Sequence, residues 1–276
     1  MQSAMISGFR AIRLWGIVYG LFFQDSLVYR ANAFIWLLTD TVPAVIMPLM
    51  WLASYDGRAT IGGFSPSSMV VYYMVILFLS CTVESHIMWD MATDIKDGKF
   101  NSLLTRPNSY MAYCYAGNVA WRLLRTFVFV PLFAVVLFLF HRWVHWDASD
   151  YNFGWQFWLA MILGHFVSFA ISYCLGLISL YVIEARSIYM FYYLPLILFN
   201  GQIAPLSFFP PGIVKVILFL PFNYTLGFPA QVFIKQVAGA HYWQLLAVQV
   251  TWLVLALVTA SALWRGGLKR YTAYGI

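Results

Sequence analysis

Two histidines and two acids lie close together in one short polar segment. His141 and His145 are four residues apart, and Asp147 and Asp150 follow them. On one helix face this spacing could hold a metal ion. Two tryptophans lie in the same segment, at the end of a long apolar run, and such a pattern is typical of the membrane–water interface. We therefore interpret the segment as an aromatic anchor and expect no metal site there.

The sequence contains no motif for a nucleotide, protease, hydrolase or calcium site. Gly98-Lys99 is followed by Phe100 and lacks the earlier glycine of a GxxxxGK[ST] phosphate loop. HExxH, GxSxG and EF-hand patterns are also absent. We expect a protein that is not an enzyme and carries no cofactor or metal of its own.

A few ionisable and aromatic side chains lie within apolar stretches. Asp40 and Glu84 are the acids, and each should face a helix interface or water because a charge at the bilayer centre costs at least about 2.5 kcal/mol. They admit three interpretations: hydrogen bonding between helices, a substrate path, or proton coupling. Tyr189, Tyr192 and Tyr193 form an aromatic cluster that is a candidate cargo contact, although aromatic residues also serve as interface and lipid-facing groups.

The composition shows what must position these groups. Of 276 residues, 62% are hydrophobic and 9% charged, and the mean hydropathy is +0.76. A soluble domain has about 25% charged residues, so this chain is suited to lipid. Its apolar runs are solid rather than alternating, which predicts helices rather than a β-barrel. The net charge of +6 is scattered at the ends of apolar runs, which favours contact with membrane lipid over nucleic acid.

We predict one all-α transmembrane domain, residues 1–276, with six transmembrane helices. Each crossing needs about 20 apolar residues. The candidate spans are 33–54, 67–89, 119–140, 155–183, 188–203 and 242–264. An N-terminal helix over 8–31 carries polar residues too close together to span and should lie at the interface.

The segment 204–240 differs from the rest because prolines divide it into pieces too short to span. Irregular backbone exposed to lipid is not tolerated, so we predict external re-entrant or interfacial helices that lean on protein. One poor span over 213–234 is the alternative. As an external gate we single out Pro205, Phe208, Phe209, Pro210, Pro211 and Pro221.

Orientation follows from the 16 Lys and Arg residues. With six spans most of them fall on one side, which predicts that both termini are cytoplasmic in a multi-pass protein. The bacterial inner (plasma) membrane is the expected location.

The longest hydrophilic stretch is the cytoplasmic loop 90–118. Within it, Gly98 can supply the left-handed residue that stops the preceding helix. A short helix through Leu103 and Leu104 should follow, and Pro107 ends it by restricting Arg106. The result is a compact, charged elbow, residues 94–107, with two exposed leucines.

This elbow resembles the corresponding loop in permease subunits of ABC transporters of the ABC-2 export type. Members commonly have an acidic residue, a glycine, a leucine pair and a proline between the second and third spans. Here these are Asp94, Gly98, Leu103-Leu104 and Pro107. The resemblance covers nearly the whole chain, including the interfacial helix, the six spans and the proline-rich external segment. The Asp, where Glu is commoner, and the Lys99-Phe100 pair are departures from the usual motif.

The resemblance implies a separate ATPase subunit, in two copies, that binds ATP and Mg and performs hydrolysis. It also implies a second permease, identical or homologous. The elbow would be the coupling helix, with the two leucines in a groove of the ATPase. The polar residues that set its register would be Asp94, Asp97, Lys99 and Arg106.

The sequence therefore predicts the permease subunit of an ATP-driven exporter. Its small external loops favour a small amphiphile, such as a drug, a lipid or a glycolipid, as cargo. A proton-coupled secondary transporter and a polysaccharide-exporting ABC permease are the alternatives.

Overall fold

The computed structural model describes residues 15–24, 27–28, 30–106, 109–144, 147–182 and 184–271, without the side chains at 30, 32, 33, 36, 37, 40, 44 and 148. Pro107, the side chain of Asp40 and most of the polar flank of the predicted helix 8–31 lie outside these described residues. Within that predicted helix, residues 15–24 are helical and are named α1.

The described residues are helical, with no strand among them and one isolated bridge between Ile61 and Phe64. The helices that follow α1 are α2 Arg30–Ala53, α3 Pro66–Thr82, α4 Ile87–Lys96, α5 Lys99–Leu104, α6 Tyr110–Phe140, α7 Trp155–Ile178, α8 Arg186–Phe199, α9 Pro211–Phe219, α10 Gly227–Phe233 and α11 Gly239–Arg270. Short 3-10 turns lie at Ala148–Asp150, Leu206–Phe208 and Phe222–Tyr224. The all-α prediction is confirmed for this part of the chain.

Among the residues that the structure describes, four helical stretches are long and apolar enough to cross a membrane: Pro66–Lys96, Tyr110–Phe140, Trp155–Ile178 and Gly239–Arg270. Two shorter apolar helices are Thr41–Ser54 and Arg186–Phe199. All of them overlap the spans that the sequence predicts. The stretch Pro66–Lys96 is central, because 72% of its apolar window is buried against 28% for α6 and for α11.

Helix α7 organises the packing, because it lies against α4, α10 and α11, while α2 packs against α3 and α6. Gly164 allows one of these close approaches. A Cβ atom there would lie 2.8 Å from the backbone oxygen of Thr225. The segment that precedes α10 can therefore pack this closely against α7 only because residue 164 has no side chain.

The second predicted span is not one continuous helix. Helix α3 ends at Thr82 and α4 begins at Ile87, so residues 83–86 interrupt the helix within the apolar stretch. We call these four residues the break. They include neither glycine nor proline, the usual causes of a kink, which is why the sequence pattern predicted an unbroken helix.

Candidate functional site

The elbow has the local geometry that the sequence predicts. Gly98 has φ +73°, in the left-handed region, and is the N-cap of α5. A side chain in that conformation costs about 1–2 kcal/mol, which glycine avoids. The chain therefore turns sharply between the end of α4 and the short helix Lys99–Leu104.

Phe100 fastens the elbow to two other helices. It is fully buried, and its ring packs at 4.9 Å from Tyr110, 6.1 Å from Trp264 and 5.1 Å from Tyr271, measured between centroids. The Tyr271 hydroxyl donates to Asn101 Oδ1 at 2.8 Å. Burial raises the pKa of Tyr271, so this hydroxyl keeps its proton. The elbow, the start of α6 and the end of α11 therefore form one packed unit.

The two leucines of the elbow do not share one environment. Leu103 is 4% exposed and belongs to a buried apolar cluster that includes Ile87, Met91 and Phe100, whereas Leu104 is 39% exposed. The expectation of two exposed leucines is thus corrected. In a six-residue helix on a protein surface only one side faces outward, and Leu103 lies on the side that packs onto α4.

The charged residues of the elbow lie at its surface or pair locally. Lys99 Nζ lies 3.1 Å from Asp94 Oδ1 across the turn. Asp97 is exposed at the C-cap of α4. The Arg106 guanidinium lies over the ring of Tyr113 at 5.9 Å. Leu104 is therefore exposed in an elbow whose surface also carries the charged side chains of Asp97, Lys99 and Arg106.

At the break, an arginine replaces the missing helical hydrogen bonds of α3. Arg122 Nη2 donates to the carbonyl oxygen of Val83 at 2.7 Å and also to that of Glu84. Its Nε donates to Asn118 Oδ1 at 2.9 Å. The cation lies at the C-terminal end of α3, where the helix dipole is negative, so it is stabilised there.

Helices α6 and α7 supply partners for the rest of the break. The backbone N–H of Ser85 donates to Ser168 Oγ at 2.9 Å, and that of Met88 donates to Ser172 Oγ at 3.3 Å. Asn118 Nδ2 donates to Ser85 Oγ at 2.7 Å. Lipid cannot hydrogen-bond to the freed backbone groups, so these side chains are what allows the helix to stop here.

Glu84 is the acid of the break, and both of its carboxylate oxygens accept a hydrogen bond. Asn200 Nδ2 donates to Oε1 at 2.9 Å and Gln202 Nε2 donates to Oε2 at 3.3 Å. Asn200 is fully buried, whereas Glu84 and Gln202 are half-buried. The carboxylate therefore joins the break to the start of the external segment.

The structure brings the predicted tyrosine cluster to the same place. Tyr193 packs 5.7 Å from His86, and Tyr189 packs 5.2 Å from Trp89. Tyr192 packs beside Tyr193 at 6.4 Å. Four of the five candidate path residues, Glu84 and the three tyrosines, therefore lie where α4 and α8 meet.

The connection between α8 and the external segment is held against α3. The hydroxyl of Tyr72 donates to the Gly201 oxygen at 3.0 Å, and that of Tyr73 donates to the Ile203 oxygen at 2.7 Å. Gly201 has φ +92°, and a Cβ there would lie 2.4 Å from the Tyr72 hydroxyl. Only glycine fits this contact.

Farther along, the external segment is buried in protein. All seven residues of α10 are buried. Gln249 Nε2, on α11, donates to the backbone oxygens of Ala160 and Tyr224 at 2.9 and 2.8 Å. This arrangement gives irregular backbone the protein partners that it needs at membrane depth.

The candidate gate residues are spread along this segment. Phe208 stacks on Trp51 at 4.5 Å and fills the space above Gly62. Phe209 packs 6.3 Å from Phe199. Pro205 and Pro221 are buried, whereas Pro210 and Pro211 are exposed at the start of α9. The phenylalanines thus contact the C-terminal ends of α2 and α8, while the prolines begin the short helices.

Sequence reasoning missed the groups that complete the break. They are Asn118, Arg122, Ser168, Ser172, Asn200 and Gln202. Polar residues inside apolar runs were the available signal. Within the described residues, no group of three or more His, Cys, Asp or Glu side chains could hold a metal ion.

Comparison with known proteins gives one finding. Residues 42–275 match a family model described as ABC-2 family transporter protein. No curated protein matches the chain.

Proposed function

Because the chain belongs to the ABC-2 transporter family, and is thus an integral membrane transport subunit, we propose that it is the permease of an ATP-driven exporter. Two copies of a separate ATPase subunit would bind ATP and Mg, and a second permease, identical or homologous, would complete the transporter. The observation that supports this most is the packed elbow, which gives an ATPase a firm surface to push against.

The proposed topology has six crossings with both termini in the cytoplasm of a bacterium. Helices α2 and α8 add two crossings to the four long stretches. Helix α8 has 14 residues, or about 21 Å, which is short of the roughly 30 Å hydrocarbon layer. The external segment 204–240 would complete this crossing as re-entrant helices, which its burial against α3, α7 and α11 supports.

Coupling would run through the elbow. A push on Leu104 reaches α4 directly and reaches α6 and α11 through Phe100. Helix α4 begins directly after the break, so its movement would change the contacts of Glu84 and of the external segment. The cargo would pass along α4 and α8, and the segment bearing Phe208 would open outward. A small amphiphile, such as a drug, lipid or glycolipid, suits a path within the bilayer.

Co-purification with the ATPase tests the coupling role. The ATPase encoded beside this permease would be co-expressed with it and carry the affinity tag. We expect Leu104→Asp to abolish recovery of the permease with the ATPase, because it places a charge in the apolar contact. Leu268→Asp is the matched control, since Leu268 is 38% exposed at the end of α11. Normal recovery of Leu104→Asp would remove the elbow from the interface.

The break supports a second candidate, a proton-coupled secondary transporter with Asp40 and Glu84 as carriers. Interrupted helices with polar groups at the membrane interior are common in secondary transporters. Vesicles separate the two functions. Transport that continues with a collapsed proton gradient and stops without ATP supports the exporter, and the reverse result supports proton coupling.

A further inference from the structure

The two hydrogen-bond donors of the Glu84 carboxylate lie on the connection 200–203, which leads into the external segment that is proposed to move. Asn200 and Gln202 lie between the end of α8 and the first turn of the external segment. If that segment opens as a gate, both amides leave. A carboxylate at this depth cannot be left without donors, because its desolvation would be uncompensated.

Arg122 does not take the place of these amides. Its hydrogen bonds go to the backbone oxygens of Val83 and Glu84 and to Asn118. Within the described residues, no ion pair joins its guanidinium to the Glu84 carboxylate. The arginine is committed to the end of α3, and removing it from there would free two carbonyl groups. Its Nη1 is buried without a hydrogen-bond partner among the described residues, so one nitrogen of the arginine remains available as a donor, whereas the amides supply two. At least one new donor for Glu84 must therefore come from outside this network.

The surroundings of Glu84 suit an amphiphile. Glu84 is half-buried, as are the rings of His86 in the break, Trp89 on α4, and Tyr192 and Tyr193 on α8, which pack on one another. The two tyrosines also interact electrostatically with Glu84. Beyond them, the outer side of α8 carries exposed apolar side chains, with Phe191 82% exposed. A polar headgroup could meet the carboxylate while its ring or chain lies against aromatic and apolar surface.

We propose that Glu84 is a cargo-binding residue whose carboxylate exchanges the amides of Asn200 and Gln202 for the hydroxyl or amide donors of an uncharged headgroup. This inference rests on the proposed transport function and names its substrate class, an amphiphile with an uncharged, donor-rich headgroup such as a sugar. Binding and opening are then linked, because the cargo supplies the hydrogen bonds that opening removes.

The charges nearby favour an uncharged headgroup over a cation. The donors to be replaced are two neutral amides. Arg122 already places a positive charge near the carboxylate, because its guanidinium donates to the backbone oxygen of Glu84. A cation would add a second positive charge in a poorly polarisable environment. Two adjacent hydroxyl groups would match the two oxygens one for one.

Binding of two probes with the same alkyl chain tests the proposal. The full chain in nanodiscs would be titrated with a fluorescent alkyl glucoside, below its micelle concentration, and with a fluorescent alkyltrimethylammonium, which has no donor. We expect saturable binding of the glucoside that is about tenfold weaker in Glu84→Gln, because the amide has one acceptor in place of two. Glu184→Gln, at an exposed glutamate, should bind like the wild type.

A second variant should change the affinity for the glucoside in the opposite direction. Gln202→Ala removes one closed-state donor, so the glucoside should bind several-fold more tightly, whereas a purely structural role for this pair predicts weaker binding. Glucoside binding that is equal in wild type and Glu84→Gln would overturn the site. Glu84-dependent binding of the trimethylammonium probe alone would overturn the substrate class. Neither result depends on co-purification with the ATPase, which tests the transport function separately.

Discussion

The elbow and the break both interrupt a helix, but they do so by different means. At the elbow, Gly98 turns the chain with its own backbone at φ +73°. At the break, Val83 to His86 have ordinary side chains, and α6 and α7 supply the hydrogen bonds that the helix gives up. One interruption is encoded locally and the other by distant helices.

The difference determines how each can respond to force. The elbow keeps its shape when its neighbours move, because its turn needs no partner, so it can pass a push onward. The break depends on four helices at once, since α3, α6, α7 and α8 all contribute atoms to it. Relative movement of any of them changes its hydrogen bonds, which makes it suited to sense motion.

The largest effect should come from the arginine of the break. Arg122→Met leaves the carbonyl oxygens of Val83 and Glu84 and the side-chain oxygen of Asn118 without their donor, at a cost of about 1–3 kcal/mol for each buried group left unpaired. We expect little monodisperse protein in fluorescence-detected size-exclusion chromatography. The control is Arg106→Met, because Arg106 is exposed and its guanidinium lies over the ring of Tyr113, a contact worth about 1 kcal/mol or less. If both variants behave alike, the break does not depend on its distant partner.

A smaller loss of stability is expected from truncation of Phe100, which anchors the elbow to α6 and α11. Phe100→Ala empties a site between Tyr110, Trp264 and Tyr271, and truncation of a buried phenylalanine costs about 3 kcal/mol or somewhat more. The expected result is a lower unfolding midpoint together with weaker recovery by the ATPase. Phe191→Ala, at an 82% exposed phenylalanine on α8, is the control and should change neither. Normal ATPase recovery with Phe100→Ala would show that the elbow does not need its anchor.

How much the sequence could predict follows from the same comparison. Gly98 and the short helix after it were predictable because a turn residue acts on its own neighbours. The apolar runs predicted the long helices for the same reason. The break was not predictable, because Val83 to His86 include no glycine or proline and the side chains that replace the lost helical hydrogen bonds lie 33 or more residues away along the chain. Leu103 was misplaced because its burial depends on α4, α6 and α7, whose positions the loop motif does not contain.

Gly98 sets the turn of the elbow through its own backbone conformation. Gly98→Ala forces a side chain into the left-handed region and should cost about 1–2 kcal/mol. Gly98→Asn should cost less, because asparagine tolerates that conformation. Unfolding midpoints of the purified variants measure both. An alanine variant as stable as the wild type would mean that the turn relaxes to another shape, and the elbow would then be less rigid than its geometry indicates.

The smallest expected change in stability comes from two serine variants, one that removes a hydrogen bond to the break from another helix and one that removes a hydrogen bond within a single helix. Ser168→Ala removes the acceptor of the Ser85 N–H, a bond between helices, and such bonds in membrane proteins contribute about 0.6 kcal/mol and up to about 1.7. Ser80 is buried to the same degree, but its hydroxyl donates to Leu77 in its own helix. Ser80→Ala should therefore be close to neutral, since that carbonyl keeps its place in a regular helix. Unfolding in mixed micelles with increasing SDS measures the difference between the two variants. A loss in Ser80→Ala equal to that in Ser168→Ala would mean that the break is no more dependent on its neighbours than ordinary helix.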